Sequence, residues 1–261
     1  MTLVPVIDCH YDTYNQRMAA GMEDKLFFVD CLEADVVVDY GCADGTLLHH
    51  LQDLRPDLHL VGFDASELEL HRARSRVPGA RLFHEWSKLL THLHEAHRGK
   101  RIALIASSVI HEIYSYGGQE EGDAFWSTLE RGPFTDFILR DMAIGERDMT
   151  VVDETFGRAL REGPCAKLVA DYEAIWGSVD NRLDAAHFML KYRYTDNWDH
   201  ELNERYFYMS QEKILARLRR HFAIDYSCSE ALPYLQGKAM DELGVRFPCP
   251  THLKIIAHRL T

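Results

Sequence analysis

The sequence predicts an α/β fold in which a mostly parallel central sheet is flanked by helices. Short apolar runs typical of buried strands alternate with amphipathic stretches typical of helices. The first apolar run ends in a turn that contains glycine, as ligand-binding loops at the ends of parallel strands often do. The chain has 261 residues, of which 46% are hydrophobic, enough to bury the core that such a sheet needs.

The predicted elements follow one another in a regular order. Residues 14–33 have apolar side chains near helical spacing, which predicts a helix. The β-branched run at residues 36–38 predicts a first strand buried on both faces. Further strands are predicted at 58–63, 81–83, 102–106, 134–139, 222–226 and 253–257, and helices at 46–54, 66–74 with Ser66 as N-cap, 87–97, and 211–221 with Ser210 as N-cap.

The alternation stops after residue 143. Residues 146–208 instead contain helical stretches rich in aromatic side chains. We therefore expect residues 1–145 and 209–261 to form the sheet domain and residues 146–208 to be a helical, aromatic segment inserted after the fifth strand. Aromatic residues are usually core residues, but segments at this edge of a sheet also cover substrates.

Composition excludes some functions. The net charge of −12 disfavours binding to a phosphate backbone. No apolar run approaches the length of about eighteen residues that spans a membrane, and the N-terminus lacks a signal-peptide pattern. Six cysteines without CxxC spacing predict neither a zinc site nor a disulfide framework. We expect a cytoplasmic protein without a metal.

The glycine turn after the first strand distinguishes between classes of nucleotide ligand. A dinucleotide fingerprint beginning at Gly41 would need glycine at positions occupied by Ala43 and Thr46, and no GxxxxGK[ST] phosphate loop is present. Asp39 precedes Gly41 by two residues. A carboxylate at this place favours a ligand that carries positive charge over one that carries a pyrophosphate.

The same turn resembles the first motif of the class I, Rossmann-like methyltransferases that use S-adenosyl-L-methionine. In that motif an apolar strand is followed by Asp/Glu-x-Gly-x-(Gly/Ala)-x-Gly, matched here by Asp39, Gly41, Ala43 and Gly45. Asp64 lies 23 residues after Gly41, where the family places an acid on the ribose hydroxyls. The resemblance covers roughly residues 34–142 and implies a seven-stranded sheet with an antiparallel last strand.

The resemblance also implies a set of cofactor-binding residues. A carboxylate such as Asp64 accepts two hydrogen bonds from a cis-diol, Glu85 and Trp86 fall where relatives hold adenine, and Tyr14 and Arg17 would close over the methionine carboxylate. Cys42 belongs to the turn through its backbone and is not expected to be a nucleophile. The full set is Tyr14, Arg17, Asp39, Gly41, Cys42, Ala43, Gly45, Asp64, Ala65, Ser66, Glu85, Trp86, Ser107 and Ser108.

The segment after the fourth strand supplies the candidate catalytic residues. His111 would either accept a proton from the methyl acceptor or only orient it, and Glu112 is a neighbour in the same polar network. Arg140 and Asp141, at the end of the fifth strand, would either contact a substrate or form an ion pair with each other. The candidate substrate-binding residues are His111, Tyr114, Arg140, Tyr194, Trp198 and Tyr206.

The resemblance implies an enzyme that transfers a methyl group to an O, N or C nucleophile of a small molecule. The aromatic side chains of the insert suit an aromatic or heterocyclic acceptor. Two alternatives remain open: a tRNA or nucleobase methyltransferase, which the negative charge disfavours, and a non-catalytic methyltransferase-like binding module. A homodimer is compatible with the sequence, which does not identify the accepting atom.

Overall fold

The computed structural model describes residues 21–260 and contains a seven-stranded sheet. The strands lie in the order β3-β2-β1-β4-β5-β7-β6. Their bounds are β1 Val36–Tyr40, β2 His59–Phe63, β3 Arg81–Phe83, β4 Ile102–Ser107, β5 Asp136–Met142, β6 Phe222–Glu230 and β7 His252–Arg259.

Strands β1 to β5 are parallel. Val38 in the middle of β1 pairs with Val61 of β2 on one side and with Leu104 of β4 on the other. All five residues of β1 are buried, because helices cover both faces of a parallel sheet. Parallel order brings the carboxyl ends of these strands to one edge, where the loops after β1, β2 and β4 meet.

Strand β7 is antiparallel to both neighbours. The amide of Arg259 donates to the carbonyl of Thr135 before β5, while the amide of Ala143 after β5 donates to the carbonyl of Thr251. Strands β5 and β7 therefore run in opposite directions. Leu260 donates to His221 beside β6 in the same antiparallel sense. The predicted sheet, mostly parallel with an antiparallel last strand, is confirmed.

The helices occupy the intervals between strands and much of the chain after β5. Two predicted N-caps are confirmed: the Ser66 hydroxyl accepts from the amide of Glu69, and the Ser210 hydroxyl accepts from the amide of Lys213. The bounds are α1 Met22–Lys25, α2 Thr46–Leu54, α3 Glu67–Arg76, α4 Trp86–Ala96, α5 Ile110–Arg131, α6 Glu146–Met149, α7 Glu154–Glu162, α8 Ala166–Trp176, α9 Arg182–Lys191, α10 Trp198–Asn203, α11 Gln211–Leu218 and α12 Pro233–Leu243, with 3-10 turns at Val29–Cys31 and Tyr192–Asn197.

The predicted helix over residues 14–33 is wrong in its described part. From residue 21 the chain forms only the four-residue α1 and a 3-10 turn, separated at Leu26, Phe27 and Phe28. Phe28 is buried in the core, and Leu26 and Phe27 pack against the same cluster. Three consecutive side chains cannot face one core from a straight helix, because successive residues point about 100° apart.

The chain divides into two compact units. The first extends from the start of the described chain to Asp141 and includes Leu218–Ser227 and the residues from Lys254 onward. Its core lies beside the sheet, where Leu48 of α2 and Leu70 of α3 are fully buried. The second unit consists of Met142–Arg217 and Cys228–Leu253. All of the predicted insert, residues 146–208, lies in this second unit. The second unit has a hydrophobic core separate from that of the first, to which residues outside the insert also contribute.

The C-terminal end of α5 is closed by an arginine of β7. The guanidinium of Arg259 donates to the carbonyls of Leu129, Glu130, Gly132 and Phe134. The last carbonyls of a helix have no partner within the helix, and Arg259 supplies the missing donors.

Candidate active site

The turn between β1 and α2 contains three residues with left-handed backbone: Gly41 at φ 77°, Ala43 at φ 44° and Gly45 at φ 79°. A Cβ added to Gly41 would lie 2.5 Å from Cγ2 of Val109, at the start of α5. A glycine in a turn between a strand and a helix can let a ligand approach the backbone closely. In the structure, the space beside Gly41 is filled by Val109, so glycine is needed here for a contact within the chain.

Asp64, at the end of β2, holds this turn in place. One carboxylate oxygen accepts a hydrogen bond from the amide of Ala43 and the other from the amide of Ser66, each at 2.8 Å. Burial raises the pKa of Asp64, and the two amide donors partly oppose that effect. Each carboxylate oxygen has a second lone pair, so Asp64 can still accept hydrogen bonds from a ligand. The contact with Ala43, across 21 residues, is not visible in the motif.

Asp39 is a buried carboxylate beside the same turn. Asp39 is 3% exposed, and within residues 21–260 no group donates a hydrogen bond to its carboxylate. Burial raises its pKa to about 7; the ammonium of Lys25 on α1 opposes this increase, and Asp64 adds to it. An ionised carboxylate in such a place is costly unless a cation accompanies it. Asp39 is therefore suited to a positively charged ligand.

Trp86, at the start of α4, lies in an aromatic cluster. Its ring is edge-on to Tyr40 at 4.8 Å and to Phe63 at 5.2 Å between centroids, so it packs near the ends of β1 and β2. The side chain is half-buried. Glu85 forms an exposed ion pair with Lys88 at 2.6 Å. That Glu85 and Trp86 contact adenine stays a prediction.

The turn after β4 contains two serines in different environments. The Ser107 hydroxyl is buried, and no described residue is hydrogen-bonded to it. Ser108 has φ 56°, an uncommon conformation for a residue with a side chain. Its hydroxyl accepts from the Arg140 guanidinium and its amide donates to the Arg140 carbonyl, both at 2.7 Å. Two hydrogen bonds to one residue thus hold the strained turn.

His111 and Asp141 form a buried pair where β5 meets α5. Nδ1 of His111 lies 2.7 Å from one oxygen of Asp141, and the other oxygen accepts from the amides of Ile110 and His111 at 2.8 and 3.1 Å. The residues are 3% and 0% exposed. A carboxylate on Nδ1 favours the tautomer with its proton there, which makes Nε2 the basic nitrogen. The pair therefore has the arrangement of an oriented general base.

Arg140 and Asp141 do not pair with each other, so of the two alternatives for these residues the ion pair between them is wrong. Arg140 instead donates from Nε to Asp24 of α1 at 2.6 Å, and Asp141 pairs with His111. The physical reason is the alternation of side chains along a strand, which sends neighbouring residues to opposite faces. Arg140 is 5% exposed and already hydrogen-bonded, so a substrate contact by it stays a prediction.

The other predicted residues divide between the two units. Tyr114 in the first unit is buried, with its ring over Gly122, and Glu112 is partly exposed on α5. Tyr206 lies in the core of the second unit and donates its hydroxyl to Glu201. Tyr194 and Trp198 are half-buried in the second unit.

Three kinds of predicted cofactor residue remain. Cys42 is buried in the turn after β1, and burial raises the pKa of its thiol. Ala65 is exposed after β2, and Tyr14 and Arg17 lie outside the described residues.

Residues 21–260 contain no cluster of three or more His, Cys, Asp or Glu side chains that could hold a metal ion. Over the same residues, no helix has the length and apolarity needed to cross a membrane.

No protein-family model matches this sequence, and no curated protein matches it. Solved structures do share its fold. The plantazolicin methyltransferase BamL, in complex with a triazolic desmethylPZN analog and SAH, aligns with a TM-score of 0.53 at 10% identity over 95% of this chain and 88% of its own. The related BpumL with a pentazolic analog and SAH gives 0.51 at 9% identity over 95% and 90%.

An O-methyltransferase family protein from Burkholderia thailandensis aligns with a TM-score of 0.51 at 12% identity. The alignment covers 96% of this chain but 59% of that protein, so this chain spans little more than half of its length. At these identities the likeness establishes the fold. The chain has the Rossmann-like fold of methyltransferases that use S-adenosylmethionine.

Proposed function

We propose that this chain is an S-adenosylmethionine-dependent methyltransferase that acts on an O, N or C nucleophile of a small molecule. The observation that supports it best is the pair of acids at the turn after β1. Asp64 is tied to the turn through Ala43 and keeps lone pairs for hydroxyl groups, while Asp39 is buried beside it without a hydrogen-bond donor from the described chain.

The cofactor fits these residues chemically. S-adenosylmethionine has a ribose cis-diol, an α-ammonium and a sulfonium, and it has no phosphate. Asp64 would hold the diol, Asp39 would face the positive charge, and the unpartnered hydroxyl of Ser107 would meet a polar group. When bound, the cofactor supplies an electrophilic methyl group. SAH, its demethylated product, is bound in the BamL and BpumL structures.

His111 would act on the acceptor. Nε2 is the basic nitrogen of the ring, and it would take the proton that an O–H or N–H acceptor loses during methylation. Asp141 would hold the ring in place and stabilise the imidazolium that forms. Glu112 would contribute only as a polar neighbour.

Acceptor choice is proposed to depend on residues 146–208. Tyr194 and Trp198 support this, because both rings are only half-buried and the indole Nε1 of Trp198 has no hydrogen-bond partner among residues 21–260. Such groups suit an aromatic or heterocyclic acceptor. Tyr206 supports it less, since its hydroxyl is already bonded within the core.

A cytoplasmic location is also proposed, because the five described cysteines are all free thiols, as expected in a reducing compartment.

Calorimetric titration with SAH tests the cofactor assignment. We expect heat of binding and an increase in the unfolding temperature for the wild-type protein and for Asp53→Asn, whose carboxylate is 68% exposed on α2. Absence of both signals would refute the proposal. Transfer of a labelled methyl group to small heterocycles and to tRNA then separates the remaining functions. Labelled tRNA would favour the nucleobase alternative, and binding without any transfer would favour a non-catalytic module.

A further inference from the structure

One carboxylate on the short helix α1 neutralises two nearly buried cations. Asp24 accepts a hydrogen bond from Nε of Arg140 at 2.6 Å, and its other oxygen pairs with the ammonium of Lys254 on β7. Burial alone would raise the pKa of Asp24, but Arg140 and Lys254 together lower it. Removing the carboxylate would leave both cations without this partner, which is costly at buried positions.

The guanidinium that Asp24 holds also fixes the turn after β4. Arg140 donates to the Ser108 hydroxyl and accepts from the Ser108 amide. Ser108 has a positive φ, a conformation that persists in a residue with a side chain only when its surroundings enforce it. Arg140 provides that enforcement, and Asp24 fixes the direction of Arg140.

Ser108 in turn determines where two parts of the candidate site lie. The next residue, Val109, fills the space beside Gly41 in the turn after β1. Helix α5 begins directly afterwards and carries His111 in its first turn. A change in the backbone at Ser108 would therefore move the wall of the β1 turn and the candidate base together.

We propose that Asp24 is a positioning residue of the candidate active site, which acts through Arg140 and Ser108 to place Val109 against the β1 turn and His111 at the start of α5. The expected effect of Asp24 on SAH binding rests on the proposed function. Its effect on the position of the Val109 side chain does not. Asp24 is absent from the residues predicted from sequence, because the four residues of α1 carry no motif.

The test uses Asp24→Asn, which keeps the size of the side chain and removes its charge. The ¹³C-methyl signals of Val109, assigned by their loss in Val109→Ala, report the position of the turn. We expect these signals to move in Asp24→Asn, to return toward their wild-type positions in Asp24→Glu, and to stay in place in Asp30→Asn, a matched change at an exposed residue of the following 3-10 turn. Affinity for SAH should fall roughly tenfold in Asp24→Asn alone.

Unmoved Val109 signals in folded Asp24→Asn would overturn the proposal, whatever happens to stability. If Asp24→Asn does not fold, Ser108→Ala tests the same connection one step later. In that variant, displaced Val109 methyls with unchanged Val38 methyls in β1 support the connection, and unmoved Val109 methyls refute it. If the wild-type protein binds no SAH, the proposed function fails, while the Val109 signals still decide the positioning role.

Discussion

Replacing Asp39 with Asn is expected to stabilise the ligand-free protein, and the gain should grow with pH. Burial raises the pKa of Asp39 from its ordinary 3.8 to about 7. Between these two values the folded state binds more protons than the unfolded state, so the free energy of unfolding falls as pH rises. Asn has nearly the same shape and cannot ionise. It therefore removes the penalty that the wild-type protein incurs above pH 4.

The magnitude follows from the pKa shift. One pKa unit corresponds to about 1.4 kcal/mol, so a shift of roughly three units costs about 4 kcal/mol at pH 8. At pH 5.5 only about 2 kcal/mol of that cost is expressed. The difference in unfolding free energy between Asp39→Asn and wild type should thus increase by about 2 kcal/mol between the two pH values.

Urea unfolding at pH 5.5 and pH 8.0, followed by circular dichroism, measures this difference. Other titrating groups cancel when the variant is compared with wild type at each pH. Asp53→Asn, the exposed control, should show no comparable change with pH, because its one ion pair, with His49 at 3.9 Å, is exposed and contributes only about 0.5 kcal/mol. A gain for Asp39→Asn that is the same at both pH values would refute the reasoning. Affinity for SAH should fall in the same variant, so stability and binding would change in opposite directions.

Three further outcomes are expected. Asp64→Ala should weaken SAH binding by roughly 1.5–3 kcal/mol, measured by calorimetry, because hydrogen bonds to a charged group are lost; unchanged affinity would contradict its placement at the ribose. Gly41→Ala should lower the free energy of unfolding by about 1–3 kcal/mol through collision with Val109, and Val109→Ala in the same chain should recover part of it; no recovery would speak against the collision. Asp141→Asn should reduce methyl transfer about a hundredfold while SAH affinity changes little, since only the orientation of His111 is lost; an equal rate would exclude the general-base role.

The sheet could be predicted because buried parallel strands are continuous apolar runs. Strand β3 matches its predicted bounds, and β1 extends the predicted run by two residues. Helix α12 was not predicted, since Leu232 at its N-cap gives no polar signal and only Pro233 marks its start. Helix α5 was also not predicted. Gly118 interrupts it with φ 69°, so no single helical period runs through the segment.

The site was predictable where its residues are close in sequence. Asp39 and Gly41 belong to one motif, and Asp64 follows one strand and one helix later. The pairing of His111 with Asp141 spans 30 residues and arises from the register of β4 and β5, in which Ser107 lies opposite Arg140. Local patterns do not contain such a register, because it is set by the packing of the whole sheet.

The position of β7 has a consequence for how the chain folds during synthesis. β7 is the last strand in chain order, yet it lies between β5 and β6. Until β7 has emerged from the ribosome, β6 therefore has no neighbouring strand, β5 has an open edge, and the end of α5 lacks the donors that Arg259 supplies. Open strand edges are sites of mispairing and aggregation. We expect the nascent chain to depend on chaperones until β7 is inserted between β5 and β6.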